Sequence, residues 1–411
     1  MIKISRKQNV VIFDRKTDCC GCGACNNVCP KNAIDMVPDE FGCIYPQIHK
    51  DRCVGCLLCI KVCAYQKNND GHVPKYAFAA RAQDIDLLHL SASGGVFAVL
   101  CENVIADNGI VFGCAFEYIN GCLVPFHKGI ESSDDLPKLQ GSKYVQSNTK
   151  DTFSEVKNAL RSKRRVLYSG TPCQIAGLMS FLRQEDCSQL FTIDIICHGV
   201  PGNQFFQDYL SSLEKKNRKI ISFQFRDKTF GWGLNAKYSY CNKKGKSKSK
   251  LLPASLSSYY SYFLNSETYR DSCYSCIYAN SNRQGDITIG DYWCIEKEHP
   301  DYLVENGGEI CVSNGVSCIL VNTSQGEELL SQYGEKLLCK ESQFAKIARW
   351  NGQLTAPSKH TTKRYELIDA YREGGYKEIE KMFRKDLGVR YSARLIKHWF
   401  RALLNIFTAL R

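Results

Sequence analysis

The sequence lacks a long apolar run and an export signal. A membrane-spanning helix needs about 18 uninterrupted apolar residues. No stretch of the 411 residues comes near this length, so we expect no such helix. The N-terminal stretch MIKISRKQNVVIF is charged and contains no apolar segment followed by a small-residue cleavage site. We therefore expect no signal peptide and a cytoplasmic protein.

Common nucleotide-site and nucleic-acid signatures are also missing. There is no G-x-G-x-x-G after a strand and no G-x-x-x-x-G-K-[ST], so neither the dinucleotide-binding fingerprint nor a P-loop is present. H-E-x-x-H and G-x-S-x-G do not occur either. The formal charge is +12, but no recognition helix, zinc finger or RNA-binding motif accompanies it, so we expect no nucleic-acid partner.

Cysteine, by contrast, is abundant, with 23 residues. A disulfide scaffold of this density would be short and secreted, whereas this chain is long and has no expected export signal. Metal ligation is therefore the better interpretation of the cysteines. Hydrophobic residues make up 44% of the chain, which is enough for sizeable cores. The length favours roughly two or three domains.

Two cysteine runs near the N-terminus repeat one spacing. Each has the pattern C-x2-C-x2-C-x3-C, which is typical of proteins that hold 4Fe–4S clusters. The first run is Cys19, Cys22, Cys25 and Cys29, followed by Pro30, and the second is Cys53, Cys56, Cys59 and Cys63, followed by Ala64. Structural zinc is disfavoured, because its C-x2-C pairs usually lie further apart.

In such runs three cysteines surround one cluster and the fourth reaches the other cluster. The predicted ligand sets are therefore crossed: Cys19, Cys22, Cys25 and Cys63 hold one cluster, and Cys53, Cys56, Cys59 and Cys29 hold the other. Cys20 is a spare thiol. We expect the fourth cysteine of each run to begin a short helix, with a weaker start after the second run because Ala64 replaces proline. Residues 9–70 resemble the bacterial two-cluster ferredoxin, and the polar stretch 66–72 is typical of a linker.

From about residue 75, short apolar runs alternate with helical stretches, a pattern that predicts an α/β body. The first notable junction is SASGG, residues 91–95, before the apolar stretch Val96–Ile105. Ser93 is a candidate N-cap, and the two glycines would let a phosphate approach backbone N–H groups at a helix start. Phosphate binding and a plain cap with a tight turn both stay open.

A second junction follows the predicted strand Arg165–Tyr168. Thr171 suits a helix cap and Pro172 the first helical position, which places Cys173 in the first turn, where the helix dipole favours a thiolate. A third junction, Cys197 with His198, follows a predicted strand at 191–196. Open α/β sheets bind ligands at this edge. His198 is either a proton-handling group or a structural one.

A further pair, Cys273 and Cys276, has the C-x2-C spacing. Together with Cys173 and Cys197 it completes a set of four thiolates, which predicts either a third 4Fe–4S cluster or a zinc site. Cys294 is the alternative ligand if one assignment fails. Arg283, just before the stretch GDITIGDYW, and Asp291, within it, either contact a cofactor or substrate or form structural salt bridges.

Several separated segments together resemble the coenzyme F420 hydrogenase/dehydrogenase beta-subunit family over about residues 75–340. They are SASGGVFAVL, GSKYVQS, YSGTPCQIAGL, DIICHGVPG, CYSCIYANSNRQGDITIGDYW and GVSCILVNT. The resemblance implies an FAD-binding α/β flavoprotein with its own 4Fe–4S cluster, held by Cys173, Cys197, Cys273 and Cys276. The predicted fold class is α+β or α/β, in four parts: a ferredoxin domain at 9–70, the family's N-terminal region at 75–160, its C-terminal region at 161–340 and a helical tail at 341–411.

The resemblance also implies the flavin contacts, which are Ser93, Gly94, Gly95, Lys143, Tyr144, Gly170 and Thr171. Lys143 would neutralise a pyrophosphate or stabilise reduced flavin, and it is a predicted catalytic residue together with His198. Without the resemblance, Lys143 would be interpreted as an ordinary exposed lysine.

The predicted function is an oxidoreductase that passes single electrons from a ferredoxin-type donor through 4Fe–4S clusters to FAD. From there a hydride goes to or from an organic substrate, with a deazaflavin such as coenzyme F420 as one candidate. The expected partner is a redox protein, either a ferredoxin or a catalytic subunit. The alternatives are an electron-delivery subunit and a non-catalytic docking module in a polysaccharide-biosynthesis complex. Neither the substrate nor the direction of electron flow follows from the sequence.

The tail Tyr391–Arg411 has a helical period that places Leu395, Trp399, Leu403 and Ile406 on one face, with Arg394, Lys397, His398 and Arg401 around the rest. Such a helix would lie on a membrane surface, dock on a partner or pack on its own domain. The basic run NKKGKSKSK, residues 242–250, is predicted to be a solvated hairpin turn, with an acidic partner as the alternative.

Overall fold

The computed structural model describes residues 10–67, 71–215, 218–241 and 245–397. Strands form a hairpin near the N-terminus, one large mixed sheet and a smaller antiparallel sheet. In chain order they are β1 (Ile34–Pro38), β2 (Ile44–Ile48), β3 (Tyr76–Ala82), β4 (Ile110–Ile119), β5 (Cys122–Ile130), β6 (Val166–Gly170), β7 (Leu190–Ile195), β8 (Lys219–Gln224), β9 (Asn235–Cys241), β10 (Ser247–Pro253), β11 (Ile287–Asp291), β12 (Ser317–Val321) and β13 (Leu337–Ser342).

The helices lie between the strands and dominate the C-terminal part. They are α1 (Ala24–Asn27), α2 (Leu58–Lys61), α3 (Ile85–Leu90), α4 (Val96–Ala106), α5 (Leu136–Leu139), α6 (Thr152–Arg161), α7 (Pro172–Leu182), α8 (Asn203–Leu213), α9 (Ser258–Leu264), α10 (Ile295–Glu298), α11 (Ser324–Tyr333), α12 (Phe344–Ala348), α13 (Lys363–Gly374) and α14 (Tyr376–Leu387). The predicted class is confirmed: a ferredoxin-type N-terminal part, a mixed α/β sheet and a helical C-terminal region.

The large sheet has the strand order β13-β3-β12-β11-β7-β6-β4-β5. Its centre, β11-β7-β6-β4, is parallel, and the flanking pairs are antiparallel. Because β6 and β7 are parallel neighbours, their carboxyl ends share one edge of the sheet. The predicted boundary between residues 160 and 161 falls inside helix α6, which connects two strands of this sheet, and the one at 340 falls inside β13.

Apolar cores lie on both faces of the large sheet. One core joins β4, β6 and β7 to helices α4 and α11, and it includes Leu100, Val111 and Leu167. A second core joins helices α6 and α7 to the N-terminal part, so Ile34 and Val62 pack in the same cluster as Leu178. The ferredoxin-type part therefore shares a hydrophobic core with the body instead of only being tethered to it.

The short helices of the ferredoxin-type part differ from the prediction. Helices α1 and α2 contain the third cysteine of each run, Cys25 and Cys59, and they end before the fourth. A residue in the left-handed region, Gly23 or Leu57, turns the chain into each helix, which lasts only one turn. The expectation that the fourth cysteine begins a helix is wrong. The difference between proline and alanine after that cysteine therefore affects no helix start.

The junction elements follow the sequence pattern closely. Helix α4 covers the stretch predicted from Val96, and the strands β6 and β7 match the two predicted strands within two residues. The basic run 242–250 connects the antiparallel strands β9 and β10, which confirms a hairpin. Its lysines Lys248 and Lys250 lie on β10 itself, and 242–244 fall outside the described ranges.

The C-terminal tail begins by packing on its own domain. Residues 389–397 are helical, the rings of Tyr391 and Phe383 are 6.3 Å apart, and Arg394 donates a hydrogen bond to the Ser255 carbonyl at 3.1 Å. Leu395 is 40% exposed. The remaining predicted helix positions, including Trp399, lie beyond the part of the chain that the structure describes. In the described part, no helix has both the length and the apolar character needed to cross a membrane.

Candidate metal centres and the cleft at the sheet edge

The two cysteine loops of the N-terminal part share a backbone conformation. Gly21 and Gly55 occupy the same position of each run, and both have φ of +69°. This left-handed conformation is open to glycine and disfavoured for other residues. It lets each loop curl around a centre. Cys22 is 8% exposed, whereas Cys56 of the second loop is an exposed residue, so the two centres differ in burial.

Four cysteines form what we name the inner set: Cys19, Cys22, Cys25 and Cys63. Burial raises the pKa of Cys25 well above its usual value, and the nearby thiols of Cys22, Cys19 and Cys63 raise it further. Burial likewise raises the pKa of Cys19 to about 11, with Cys22 and Cys63 adding to the shift. The structure therefore brings the fourth cysteine of the second run to the first three of the first run.

Four other cysteines form the outer set: Cys29, Cys53, Cys56 and Cys59. They line one solvent-open cavity of about 360 Å³, together with apolar side chains such as Ile34 and Ile48. Soft thiolate donors in an apolar wall are what a 4Fe–4S cluster requires. The positions of Cys29 and Cys63 agree with the crossed ligand sets, and iron ligation itself stays a prediction.

Helix α7 holds Cys173 at the edge of the large sheet. Thr171 caps the helix in a capping box with Gln174, whose Oε1 accepts a hydrogen bond from the Thr171 backbone N at 3.0 Å, and Pro172 takes the first position. Cys173 is therefore in the first turn, as predicted. Cys197 follows the end of the neighbouring strand β7, so both thiols lie at the same edge.

The cleft at this edge, which we name the body cleft, has a volume of about 580 Å³. Its lining includes the four cysteines of the body set, which are Cys173, Cys197, Cys273 and Cys276. Burial raises the pKa of Cys197 to about 12 and that of Cys276 to about 11. A buried thiolate is costly unless a nearby cation neutralises it, and cluster iron provides this neutralisation. The donor set thus fits a 4Fe–4S cluster.

Cys20 and Cys294 differ in their distance from these sets. Cys294 starts helix α10 and does not line the body cleft, so the structure gives no reason to use it as the alternative ligand. Cys20 does line the cleft. Within the described ranges, no three His, Cys, Asp or Glu side chains are close enough together to hold a single metal ion. A cubane instead carries its thiolates on separate irons.

The predicted flavin contacts at residues 93–95 are engaged within the protein. The Ser93 hydroxyl donates to the Val316 carbonyl at 2.8 Å, and the Gly94 backbone N donates to the Ser317 hydroxyl at 2.9 Å. Ser93 is therefore not the N-cap, which is Gly95 with φ of +78°. A Cβ on Gly94 would come within 2.3 Å of a strand carbonyl, so close packing already requires this glycine. Phosphate binding here stays a prediction.

Lys143 is half-buried, contrary to the alternative of an exposed lysine. Its ammonium donates to the backbone carbonyls of Lys138, Leu139 and Gln140 at 3.2, 2.8 and 2.7 Å, which are at the end of helix α5. Burial lowers the pKa of Lys143 to about 8. All its donors are used inside the protein. Its contact with flavin stays a prediction that this geometry does not favour.

The neighbouring Tyr144 belongs to a polar cluster at the end of strand β11. Its hydroxyl accepts from Arg226 at 3.1 Å, and Arg226 pairs with Asp291 at 2.7 Å. The stacked rings of Trp232 and Trp293, 4.8 Å apart, lie beside this pair, and the Trp232 indole N–H donates to Asp291 at 3.2 Å. Arg226 and Trp232 were not predicted. Their stretch FRDKTFGWG, which follows β8, carried the signal of charged and aromatic residues in a Gly-containing loop.

The other two predicted polar groups, His198 and Arg283, both line the body cleft but differ in exposure. His198 lines the body cleft, is exposed and has a pKa lowered by local desolvation, so it is neutral near pH 7. Arg283 also lines the cleft, but its side chain is only 1% exposed and pairs with the fully buried Asp194 at 3.4 Å. Of the predicted flavin contacts, which all lie in described ranges, Thr171 alone lines the cleft, and Gly170 lies just before it.

Two regions of the chain match known families. Residues 163–346 match the family described as the C-terminal region of the coenzyme F420 hydrogenase/dehydrogenase beta subunit. Residues 18–67 match the family described as "4Fe-4S dicluster domain". The resemblance predicted from the sequence is confirmed for these ranges.

Individual relatives match different shares of the chain. A polyferredoxin-like protein of Methanocaldococcus jannaschii is 42% identical over 53 residues, which are 11% of this chain and 32% of that protein. This chain thus matches about a third of that relative's length. A chain of the F420-reducing [NiFe] hydrogenase complex from Methanosarcina barkeri aligns with 79% of this chain and 97% of its own length, at 15% identity and a TM-score of 0.43. By its family matches, the chain joins residues 18–67, which match a 4Fe–4S dicluster domain, to residues 163–346, which match the C-terminal region of the coenzyme F420 hydrogenase/dehydrogenase beta subunit.

Proposed function

We propose that this chain is an iron–sulfur oxidoreductase that moves single electrons between a redox partner and an acceptor bound to its body. The route runs through the outer set, the inner set and a third 4Fe–4S cluster at the body set. The dicluster domain and the beta-subunit family match support this proposal. When bound, such clusters supply one-electron redox chemistry.

One observation carries the proposal, namely that the inner and body sets share a wall. Ala64, Tyr65, Ala176 and Tyr278 form a small buried core. The cysteines that pack against it come from both sides and are Cys20, Cys63, Cys173 and Cys276. Side chains of the ferredoxin-type part and of the body therefore enclose one space, which supports direct passage of electrons between the two.

Residues of the body form hydrogen bonds with the ferredoxin-type part at this contact. The guanidinium of Arg270 is 3% exposed, donates to the Cys19 carbonyl at 2.8 Å and lies 4.6 Å from the centre of the Tyr45 ring. The Tyr65 hydroxyl donates to the Ser272 carbonyl at 3.0 Å. These bonds orient the inner loop on the body.

The acceptor is proposed to be FAD, with an organic substrate that exchanges a hydride. This part rests on the family match and on the stacked Trp232 and Trp293 at the edge of the sheet. Lys143 and Ser93 have their donors engaged within the protein, so we assign no step to them. His198, exposed in the cleft, remains the candidate for holding a substrate proton.

The redox partner is proposed to dock at the outer set. Cys56 is exposed and the neighbouring Val54 is 60% exposed, so the outer cavity opens to solvent. The inner set is covered by the body. A ferredoxin or a catalytic subunit that exchanges electrons with this chain would therefore approach the outer set first.

Metal and flavin content test the proposal. Anaerobically purified protein is expected to hold about twelve irons and one flavin per chain. The Cys276→Ser variant should lose about four irons, whereas the Cys339→Ser variant should lose none, because Cys339 is exposed on strand β13 and lines neither cavity. One or two tightly bound zincs in place of the third set of irons would contradict the body cluster.

A reduction assay separates the enzyme from its alternatives. Dithionite-reduced protein is expected to reduce its own flavin and then a substrate, with coenzyme F420 as the first one to test. Reduced clusters without flavin would indicate an electron-delivery subunit. An inert body without iron or flavin would indicate a docking module, for instance in a polysaccharide-biosynthesis complex.

A further inference from the structure

Five cysteines, not four, line the body cleft, and the fifth comes from the ferredoxin-type part. Cys20 packs with Cys173 against one small buried core and also packs against the neighbouring apolar core that contains Cys22, so it lies near both thiols. Cys22 belongs to the inner set and Cys173 to the body set. The spare thiol of the first run is therefore placed between the predicted ligands of two different clusters.

A buried tyrosine beside Cys20 has an unpaired hydroxyl. Tyr278 is 2% exposed, lines the body cleft and packs against Cys20, Cys173 and Cys276. Among the described residues its hydroxyl has no hydrogen-bond partner. An unpaired buried hydroxyl is costly, and native structures rarely keep one without a role. The nearby cluster sulfur of the body set would provide the missing acceptor.

We propose that Cys20 and Tyr278 are positioning residues that donate hydrogen bonds to the sulfur of the body cluster and thereby couple it to the inner cluster. The inference rests on the proposed function, since it requires the body cluster. In the coupled step one electron leaves the inner cluster and enters the body cluster. No bond forms or breaks, and Cys20 and Tyr278 keep their protons.

The physical effect of the two donors has a definite sign. Hydrogen bonds to cluster sulfur stabilise the reduced, more negative state and raise the reduction potential. Because Cys20 and Tyr278 line the body cleft, their donation favours an electron on the body cluster over the inner one. Removing either donor should shift this one-electron equilibrium back towards the inner cluster by roughly three- to tenfold.

The experiment compares variants of the full chain by iron content and by EPR-monitored redox titration. Cys20→Ala and Tyr278→Phe remove a donor, whereas Cys20→Ser retains one. Tyr209→Phe is the matched control, because the buried Tyr209 hydroxyl is already bonded to the Ser257 hydroxyl at 2.7 Å and its ring lies in a core that contains no cysteine.

We expect all four variants to keep about twelve irons, with the body-cluster midpoint lowered in Cys20→Ala and Tyr278→Phe. Cys20→Ser and Tyr209→Phe should stay near wild type. Unchanged midpoints in both donor-lacking variants would overturn the inference. So would a loss of about four irons in Cys20→Ala, because Cys20 would then be a ligand. Wild-type protein with only about eight irons would instead remove the proposed function itself.

Discussion

At the scale of single residues, Gly177 of helix α7 shows how closely the two parts of the chain fit. A Cβ at this position would come within 2.8 Å of the Cys22 sulfur and 3.0 Å of the Cys22 Cβ. Such approaches are shorter than van der Waals contact, and Cys22 is fixed in its loop. The absence of a side chain at Gly177 therefore lets the helix lie against the inner set.

Substitution of Gly177 by alanine is expected to push helix α7 away from the inner loop. The overpacking should lower the free energy of unfolding by about 1–3 kcal/mol and reduce iron content. Gly352→Ala is the matched control, since a Cβ there meets nothing within 4 Å. Anaerobic unfolding with iron analysis measures both effects, and equal stability of the two variants would contradict the close fit.

His127 is a second residue with a measurable consequence, because it is buried and neutral. It is 2% exposed, and its ring nitrogens lie 3.0 Å from the Ser147 hydroxyl and 3.1 Å from the Ser169 carbonyl. Burial, with a smaller contribution from the Lys143 ammonium, lowers the pKa of His127 to about 4. The unfolded chain therefore binds a proton at this residue at a higher pH than the folded chain does.

The sign of the pH effect follows from this difference. His127 makes stability fall as the pH drops below its unfolded pKa of about 6.5, at a cost of about 2 kcal/mol between pH 7 and pH 5. In His127→Gln this part of the pH dependence should vanish, while the exposed-site variant His89→Gln should retain it. Unfolding curves at both pH values measure it. An equal acid loss in wild type and His127→Gln would show that the burial of His127 is not the cause.

The positions of the predicted ligands could be inferred from the sequence where they depend on the spacing of residues along the chain, although iron ligation itself stays a prediction. Cys19, Cys22 and Cys25 lie within one loop, so their convergence follows from local backbone conformation. Lys143 could not be predicted in the same way, because a lysine next to a helix end is bonded to carbonyls or free according to the packing around it. Tyr278 was missed for a similar reason, since its neighbours are distant in sequence.

At the scale of elements, the buried ion pair of Arg283 and Asp194 ties strand β7 to the segment before β11. The two side chains are 1% and 0% exposed, with 3.4 Å between them. Asp194 also accepts from the Gln284 backbone N at 2.9 Å. The sequence left two interpretations of Arg283 open, a contact with cofactor or substrate and a structural salt bridge. In the structure Arg283 forms the salt bridge.

Removal of one partner should cost more than removal of both. Arg283→Met leaves the Asp194 charge buried without its cation, which typically costs about 3–5 kcal/mol. The double variant Arg283→Met, Asp194→Asn is expected to recover part of this loss, because no unpaired charge remains. A double-mutant cycle by chemical denaturation measures the coupling. Additive losses would show that the two side chains do not interact.

Element prediction was accurate at β6, β7 and α4 and wrong at the cysteine helices. Strands β6 and β7 are apolar runs that end at Gly or Cys junctions, so composition alone marks them. Helices α1 and α2 are only four residues long, and their position is set by left-handed residues before them. Periodicity has no meaning over one turn, which is why their placement relative to the cysteines was missed.

At the scale of the whole molecule, the three thiol sets differ in how they are covered. The outer cavity opens to solvent and includes the exposed Cys56. The inner set contacts the body through Arg270 and Gly177. The sequence predicted a module, a linker and a body. It could not predict that module and body share a core, because such contacts join residues more than a hundred positions apart.

This arrangement predicts the order in which iron is lost. During brief exposure to air or to a chelator, about four of the expected twelve irons should leave first, from the outer set. Iron analysis and EPR at successive times measure the loss. Simultaneous loss of all irons, or loss from the body set first, would contradict the order. The Cys276→Ser variant is the control, because it should lose its first irons at the same rate as wild type.

The crossed positions of Cys29 and Cys63 also have a consequence for biosynthesis. The outer set needs Cys59 and the inner set needs Cys63, so neither can be completed until the second run has left the ribosome. The two sets become complete at nearly the same point of synthesis, because Cys59 and Cys63 are close together in the sequence. Cys20 must wait far longer, until Cys173 and Tyr278 have been made and folded. Until then the Cys20 thiol of a nascent chain lacks the body residues that cover it in the folded protein, and anaerobic translation would protect it from oxidation.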